Sequence, residues 1–301
     1  MNVWSTLDAV IKPTRYMPWP ELEHAFTTIT PSPESPVLFA SPHSGRCYPK
    51  AFKALSVLDT RSLRLSEDAW VDELFAGVSQ YGASQLIAHF PRAMVDVNRA
   101  PDELDADMYY DHCPAPARRK SARVMAGLGV IPRMVAVGRP IYAQKLSYSE
   151  AVERLHHLHT PYHETLAALL NHKVKTLGAA ILIDCHSMPS SCAQTCPGGS
   201  ADFILGDGHG RTCRPGLIAH VEQALTAMGY RVMRNIPYSG GYTTLRYGQP
   251  AQGFEALQIE INRDLYMDEA SLEKTHRFTP LRRDMQRLGK AICAYARTGL
   301  P

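Results

Sequence analysis

The sequence predicts an α/β protein built on a central, largely parallel or mixed sheet, and three observations carry that reading. Apolar runs of strand length alternate with stretches of helical periodicity along most of the 301-residue chain. Hydrophobic residues make up 45% and charged residues 20%, which suits a globular protein with a substantial core. Two of the apolar runs, Val37-Leu-Phe-Ala-Ser-Pro-His43-Ser-Gly45 and Ala179-Ala-Ile-Leu-Ile-Asp184-Cys-His186-Ser187, each deliver a histidine at their exit. In an open α/β sheet, ligands bind beyond the carboxyl ends of the strands. Two strand-end histidines far apart in sequence therefore predict a site assembled between neighbouring strands, read here as a metal centre.

Taken in order, residues 1–36 hold six prolines, among them Pro18, Pro20, Pro31, Pro33 and Pro36. They read as an extended arm, because proline resists helix interiors and central strands. After the first histidine strand and a turn at Tyr48-Pro49, Val71, Leu74, Phe75 and Val78 recur at helical spacing behind Ser66-Glu67-Asp68. That spacing predicts a helix ended by Tyr81-Gly82. Residues 84–90 and 93–99 read as strands, and residues 100–142, rich in Pro, Gly and Arg, as a long loop of the kind that covers a functional site. A helix is predicted over 147–175 with Pro161 as a kink or break, then strands at 179–184 and 202–206 and a helix over about 215–228. A strand from Tyr230, another at 256–262 and a C-terminal amphipathic helix over about 271–296 complete the pattern. No internal repeat or low-complexity tract interrupts it, so one catalytic domain over 1–301, with an arm and an inserted loop, is the simplest partition.

The formal net charge of +3 gives no electrostatic case for nucleic acid or an anionic membrane surface. The N-terminal residues lack the basic and apolar regions of a secretory signal, and no stretch reaches the roughly 18–20 apolar residues of a membrane span. Seven scattered cysteines form no zinc-ribbon spacing; Cys192 and Cys196 have no second pair, and Cys185 reads as an inert core thiol. A reducing cytoplasm is the default expectation.

Two histidines do not make a hydrolytic metal site, which typically needs a third ligand and a position left for water. Glu67, Asp68 and Asp72 are the carboxylate candidates, against the plain alternative that acidic residues at a helix start serve the macrodipole. Arg99, at the end of the polar cluster Asp96-Val-Asn98-Arg99, offers a planar fork for an acidic substrate or a salt bridge to Asp102 or Glu103. Glu260 sits in the apolar strand Leu257-Gln-Ile-Glu-Ile261, sharing a face with Gln258 and Asn262. Burial there would raise its pKa and suit it to general-base work; the alternative is an edge-strand solvent position. His156, His157, His159 and His163 look like a metal tract but read as a surface helix, with His163 a minor candidate. Gly206-Asp-Gly-His-Gly210 lacks the lysine and spacing of a phosphate loop.

Six pieces in order, Ser41-Pro-His43-Ser-Gly45, Glu67-Asp68 leading into Val71-Asp-Glu-Leu-Phe75, Pro91-Arg92-Ala-Met-Val-Asp96-Val-Asn98-Arg99, Asp184-Cys-His186-Ser187, Gly240-Gly-Tyr-Thr-Thr244 and Leu257-Gln-Ile-Glu260-Ile261, resemble the N-formylglutamate amidohydrolase family. The resemblance implies a three-layer α/β/α fold of the phosphorylase/hydrolase-like, zinc-carboxypeptidase-like kind. It implies one Zn2+ per chain on His43, Asp68 and His186, with Glu67 adjoining the least secure of the three. Glu260 matches the general base, Arg92 the arginine that polarises the scissile carbonyl, and Asn98 with Arg99 the grip on the substrate's carboxylate. Thr243, Arg246 and Arg139 are further substrate contacts. The segment Gly240-Gly-Tyr-Thr-Thr-Leu-Arg246 departs from the family pattern, where His or Ile would follow the glycines and Arg the threonine.

The expected activity is zinc-dependent hydrolysis of the amide of an N-acyl, above all N-formyl, acidic amino acid such as N-formylglutamate, as in histidine degradation. The expected partner is that small molecule, with a homo-oligomer of the chain open, and neither nucleic acid nor membrane. A zinc carboxypeptidase or peptidoglycan amidopeptidase on the same scaffold is the alternative enzyme, and a non-catalytic metal- or ligand-binding module the alternative of another class.

Overall fold

The computed structural model describes residues 17–113 and 121–298. Seven strands form one mixed, mostly parallel sheet: β1 Phe26–Ile29, β2 Val37–Ser41, β3 Ser84–Ala88, β6 Ala180–Met188, β7 Phe203–Gly206, β8 Val232–Arg234 and β9 Phe254–Asn262. Two short strands, β4 Met134–Ala136 and β5 Arg139–Pro140, make a separate hairpin. The sheet order is β1-β3-β2-β6-β9-β7-β8. From β3 to β9 neighbouring strands run parallel, while β1 and β7 pair antiparallel with β3 and β9.

The central strands β6 and β9 are buried at all nine positions, as parallel strands covered on both faces must be. Alternation then decides what each face carries. On one face Ile181, Ile183, Cys185, Leu257, Ile259 and Ile261 pack against the helices Pro215–Ala227 and Phe278–Thr298. The other face begins apolar, with Ala180, Leu182 and Ala256 packed near Tyr162, Leu166 and Leu170 of the helix Thr160–Leu177. Towards the carboxyl ends the same face turns polar: Asp184 and His186 on β6, Gln258 and Glu260 on β9, all buried. Helices on both sides of one sheet give the three layers expected.

Several elements differ from the pattern reading. The predicted helix behind Ser66 is broken into Val71–Leu74 and a 3-10 turn Val78–Tyr81 that ends at Gly82 as expected, and Glu67 is extended. The Asp68 N–H donates to the His43 carbonyl at 3.0 Å, tying this segment to the loop after β2. Asp68 and Asp72 therefore share no helical face. The stretch expected to be a strand over 93–99 is a buried turn. The Asn98 N–H donates to the Asp96 carboxylate at 2.8 Å, a local bond that competes with any ladder. The helix expected over 147–175 is Tyr148–Arg154, a π turn Leu155–His159 and Thr160–Leu177. His159 and His163 are buried, contrary to the surface helix expected there. The C-terminal helix starts later than expected, at Phe278, after a bridge between Met267 and Lys274.

Part of the Pro-rich arm, residues 1–16, lies outside the described residues. The rest buries Trp19 and Leu22 and adds β1 to the sheet edge. Of the long connection, residues 114–120 lie outside the described residues. The described part buries Leu104, Met108, Val130, Ile131 and Ile141 in the core rather than lying over it. No helix among the described residues is long and apolar enough to cross a membrane.

Gly45 shows how tightly the loop after β2 is seated. A Cβ there would stand 2.0 Å from the Phe90 carbonyl oxygen, while Cys47 N–H bonds the His89 carbonyl beside it. Backbone against backbone leaves nothing flexible to give way. Gly45→Ala is expected to lower unfolding stability in denaturant by ~1–3 kcal/mol, the range of overpacking strain.

Candidate metal centre and active site

The exit of β2, the extended segment after Ser66 and the middle of β6 deliver His43, Asp68 and His186 to one point. The Nδ1 atoms of His43 and His186 lie 3.3 and 3.0 Å from the same oxygen, Asp68 Oδ2, and one ligand atom from each residue lies within 4.8 Å of the other two. All three residues are buried. Glu67 is turned elsewhere: its carboxylate accepts from Tyr48 Oη at 2.7 Å and from Arg64 Nε at 3.1 Å.

Each imidazole has a carboxylate at its back. His43 Nε2 is 2.7 Å from Asp96 Oδ1, and His186 Nε2 is 3.0 Å from Asp184 Oδ2. A carboxylate behind a ligating histidine fixes the proton on the far nitrogen and raises the basicity of the near one. Both Nδ1 atoms face Asp68, an arrangement that could hold a metal ion. Neither carboxylate oxygen of Asp184 has a well-directed hydrogen bond despite complete burial, which leaves negative charge facing the cluster. Two imidazoles and a carboxylate suit a divalent ion such as zinc.

The charges explain the titration of the group. Burial raises Asp68, but hydrogen bonds from His186 and His43 outweigh it and hold the carboxyl well below its ordinary value. Burial likewise opposes His186, yet the charge of Asp184 and the contact with Asp68 lift it well above the usual imidazole range. Asp96 stays well below its ordinary value, because Arg92, Arg99 and His43 overcome its desolvation. Glu260 behaves differently. Burial pushes it up to about 7, the charge of Asp68 adds to that, and His186, Arg92 and Arg263 act against it.

Glu260 pairs in register with His186 across the parallel β6–β9 ladder, so both side chains leave the same face. It lies on a central strand, not an edge. Gln258 Nε2 donates to its Oε1 at 2.8 Å and orients it. Arg92 donates Nε to Asp96 at 3.0 Å while a quarter of its side chain stays accessible, and its charge bears on Asp68 and Glu260.

Asn98 lies between the histidine cluster and the glycine-pair segment. Its Oδ1 accepts the Thr243 N–H at 2.9 Å, and its Nδ2 is 3.2 Å from His186 Nε2. Gly241 permits this approach, since a Cβ there would fall 2.3 Å from Asn98 Oδ1. Thr243 is buried, and its hydroxyl has no partner among the described residues.

The other expected contacts are placed less centrally. Arg99 spends Nε and Nη1 on the carbonyls of Leu128 and Asn98 and has Nη2 3.8 Å from Asp96. Arg246 donates to Tyr242 Oη at 2.9 Å and lies over the rings of Tyr242 and Tyr247. Arg139 is exposed on β5, with its charge near Asp59.

The sequence reading gave no role to Asp96, Asp184, Gln258 or Arg263, and left His159 to a surface helix with His163 a minor metal candidate. Asp184 and Gln258 carried a usable signal: each is two residues from a site residue on a strand and so shares its face. Arg263, just past β9, donates Nη2 to Asp68 Oδ1 at 3.1 Å and to the Glu67 carbonyl at 2.6 Å. A lone basic residue at a strand exit gives no comparable hint.

Comparison with known proteins agrees with this arrangement. A sequence model of the N-formylglutamate amidohydrolase family matches residues 35–267. An N-formylglutamate deformylase of Pseudomonas aeruginosa is 34% identical over 238 residues, covering 78% of this chain and 83% of that protein. One from Pseudomonas putida is 30% identical over 237 residues, covering 78% and 82%. The crystal structure of an N-formylglutamate amidohydrolase from Ralstonia eutropha JMP134 superposes with a TM-score of 0.87 at 37% identity, covering 92% of this chain and 99% of the other. With a sheet that gathers His43, Asp68, His186 and Glu260 at its carboxyl edge, the chain belongs to the N-formylglutamate amidohydrolase family.

Proposed function

We propose that this protein is a zinc-dependent deformylase that hydrolyses N-formylglutamate to formate and glutamate. The observation that carries the reading is the convergence of His43, Asp68 and His186 beside a buried Glu260 in register with His186. The names of the relatives support the substrate. His43 and His186 through Nδ1, with Asp68, would hold the ion. A divalent cation there supplies a Lewis acid that acidifies a water and polarises the amide carbonyl.

The chain's own groups carry the remaining steps. Glu260, lifted to about 7, takes a proton from the water as its oxygen bonds to the formyl carbon. Arg92 faces the charge that develops on the carbonyl oxygen and is held in place by Asp96. Glu260 then returns the proton to the departing nitrogen as the C–N bond breaks. Asn98 and Thr243 hold the carboxylate of the amino acid. Arg99 secures Asn98 from behind through its bond to the Asn98 carbonyl. Arg246, bonded to Tyr242, lies on the same short helix as Thr243, Tyr242–Tyr247. Arg139, on its exposed hairpin beside Asp59, is left out of the reading.

Glutamate release from N-formyl-L-glutamate by the purified, zinc-loaded protein tests the reading; no release above the uncatalysed rate sinks it. Glu260→Gln is expected to lower kcat by about 10²–10⁴-fold, the ordinary worth of general acid–base catalysis, while zinc content stays unchanged. Arg92→Met should cost about 10²–10³ in kcat, the typical loss of one oxyanion donor, with a much smaller change in KM. A KM change alone would place Arg92 in ground-state binding instead.

A further inference from the structure

The turn over residues 91–99 carries Arg92, Asp96 and Asn98, yet it has neither helix nor strand to hold it, and nearly all of it is buried. Its backbone carbonyls must find donors, because an unpaired buried carbonyl is costly. Three of those donors come from one helical element. Arg154 Nη1 donates to the Met94 carbonyl at 3.1 Å, His163 Nε2 to the Val97 carbonyl at 2.8 Å and His159 Nε2 to the Arg99 carbonyl at 2.9 Å. The two histidines thus grip the carbonyls on either side of Asn98.

The spacing of the three donors is unusual. Residues 159 and 163 are four apart and share an α-helical face, but 154 and 159 are five apart. At about 100° per residue, five steps in an α-helix leave the second side chain about 140° away from the first. The π turn Leu155–His159, in which Thr160 N–H bonds the Leu155 carbonyl, reduces that offset by closing on the fifth residue. Pro161 gives a local reason for it. It offers no N–H and its ring crowds the carbonyl four residues back, so a widened turn upstream relieves the conflict.

The donors are well defined. Burial lowers His159 to about 4 and His163 well below the ordinary imidazole range, so both rings are neutral near pH 7. Each Nε2 faces a carbonyl oxygen and must carry the single proton. His163 Nδ1 then stands 3.0 Å from Tyr247 Oη, and the His163 ring stacks on that of Tyr247.

We propose that His159 and His163 are positioning residues that set substrate affinity by clamping the peptides around Asn98, and that the π turn serves to bring them into line with Arg154. The inference rests on the reading of Asn98 as a substrate contact. Because Asp96 also backs His43, the clamp has a second consequence: it sharpens the zinc site.

The test compares His163→Leu with His163→Gln, and His159→Leu with His159→Gln, in the full-length zinc-loaded protein. Glutamine can present an N–H near the place of Nε2; leucine cannot. Each leucine variant is expected to raise KM for N-formyl-L-glutamate about tenfold or more, the scale set by one lost buried hydrogen bond, with kcat changed less than about threefold. Each glutamine variant should return KM to within about threefold of the unaltered protein. Leucine variants with unaltered KM, or glutamine variants as impaired as leucine, overturn the proposal. A protein inactive on N-formylglutamate before any substitution fails the functional reading instead. The clamp is then judged on zinc affinity by chelator competition: weakened by leucine and restored by glutamine supports it, and unchanged affinity overturns it. Should neither leucine variant fold, the glutamine variants decide. Near-normal KM and zinc affinity support the clamp, and a tenfold change in either refutes it.

Discussion

Two imidazole nitrogens and one carboxylate oxygen meet at the carboxyl edge of the sheet, and most of the surrounding structure exists to keep them there. His43 and His186 each point Nδ1 at Asp68 Oδ2, with the far nitrogen of His43 held by Asp96 and that of His186 set 3.0 Å from Asp184. Asp68 is pinned in turn, its second oxygen receiving Arg263 at 3.1 Å. Taking such groups out of water is expensive unless charge and hydrogen bonding are both satisfied. Four carboxylates, Asp68, Asp96, Asp184 and Glu260, are buried around the cluster, while the nearby guanidinium groups are those of Arg92, Arg99 and Arg263. Burial, with the charge of Asp68 beside it, keeps Glu260 protonatable near neutrality.

That electrostatic design explains the tertiary choices that local sequence preferences would not make. A helix at Asp68 would carry its side chain away from β6; the bond from Asp68 N–H to the His43 carbonyl stops it forming. Trp70 takes a left-handed backbone at φ 66° two residues later, an uncommon conformation for a bulky residue. The ring is held by its indole N–H on the Leu272 carbonyl at 2.8 Å and by Arg46 and Lys274 against its faces. The turn after Pro91 also gives up its ladder, so that Arg92, Asp96 and Asn98 can reach the cluster from one short segment.

The parts legible in the sequence were those governed by period and composition. Continuous apolar runs marked β2, β6 and β9, and the histidine at or near each exit of the first two pointed to a shared site. The face shared by Gln258, Glu260 and Asn262 followed from strand alternation. What stayed hidden depends on contacts between distant segments. The spacing of Val71, Leu74 and Phe75 is genuinely helical, but a hydrogen bond from residue 68 to residue 43 decides the outcome. His159 and His163 lie in a stretch of surface-like composition, and their burial rests on carbonyl partners at residues 99 and 97, with Tyr247 against His163. Arg263 belongs to the site through residues nearly two hundred positions earlier.

The most direct measurement is the metal content of the purified protein, by elemental analysis after exhaustive dialysis, for the unaltered chain and for Asp68→Ala. The account predicts close to one divalent ion per chain, with zinc the best occupant, and near-complete loss in the variant with the fold retained by circular dichroism. A chain that binds no divalent ion under any loading condition, yet hydrolyses N-formylglutamate at an undiminished rate in the presence of a chelator, would contradict it.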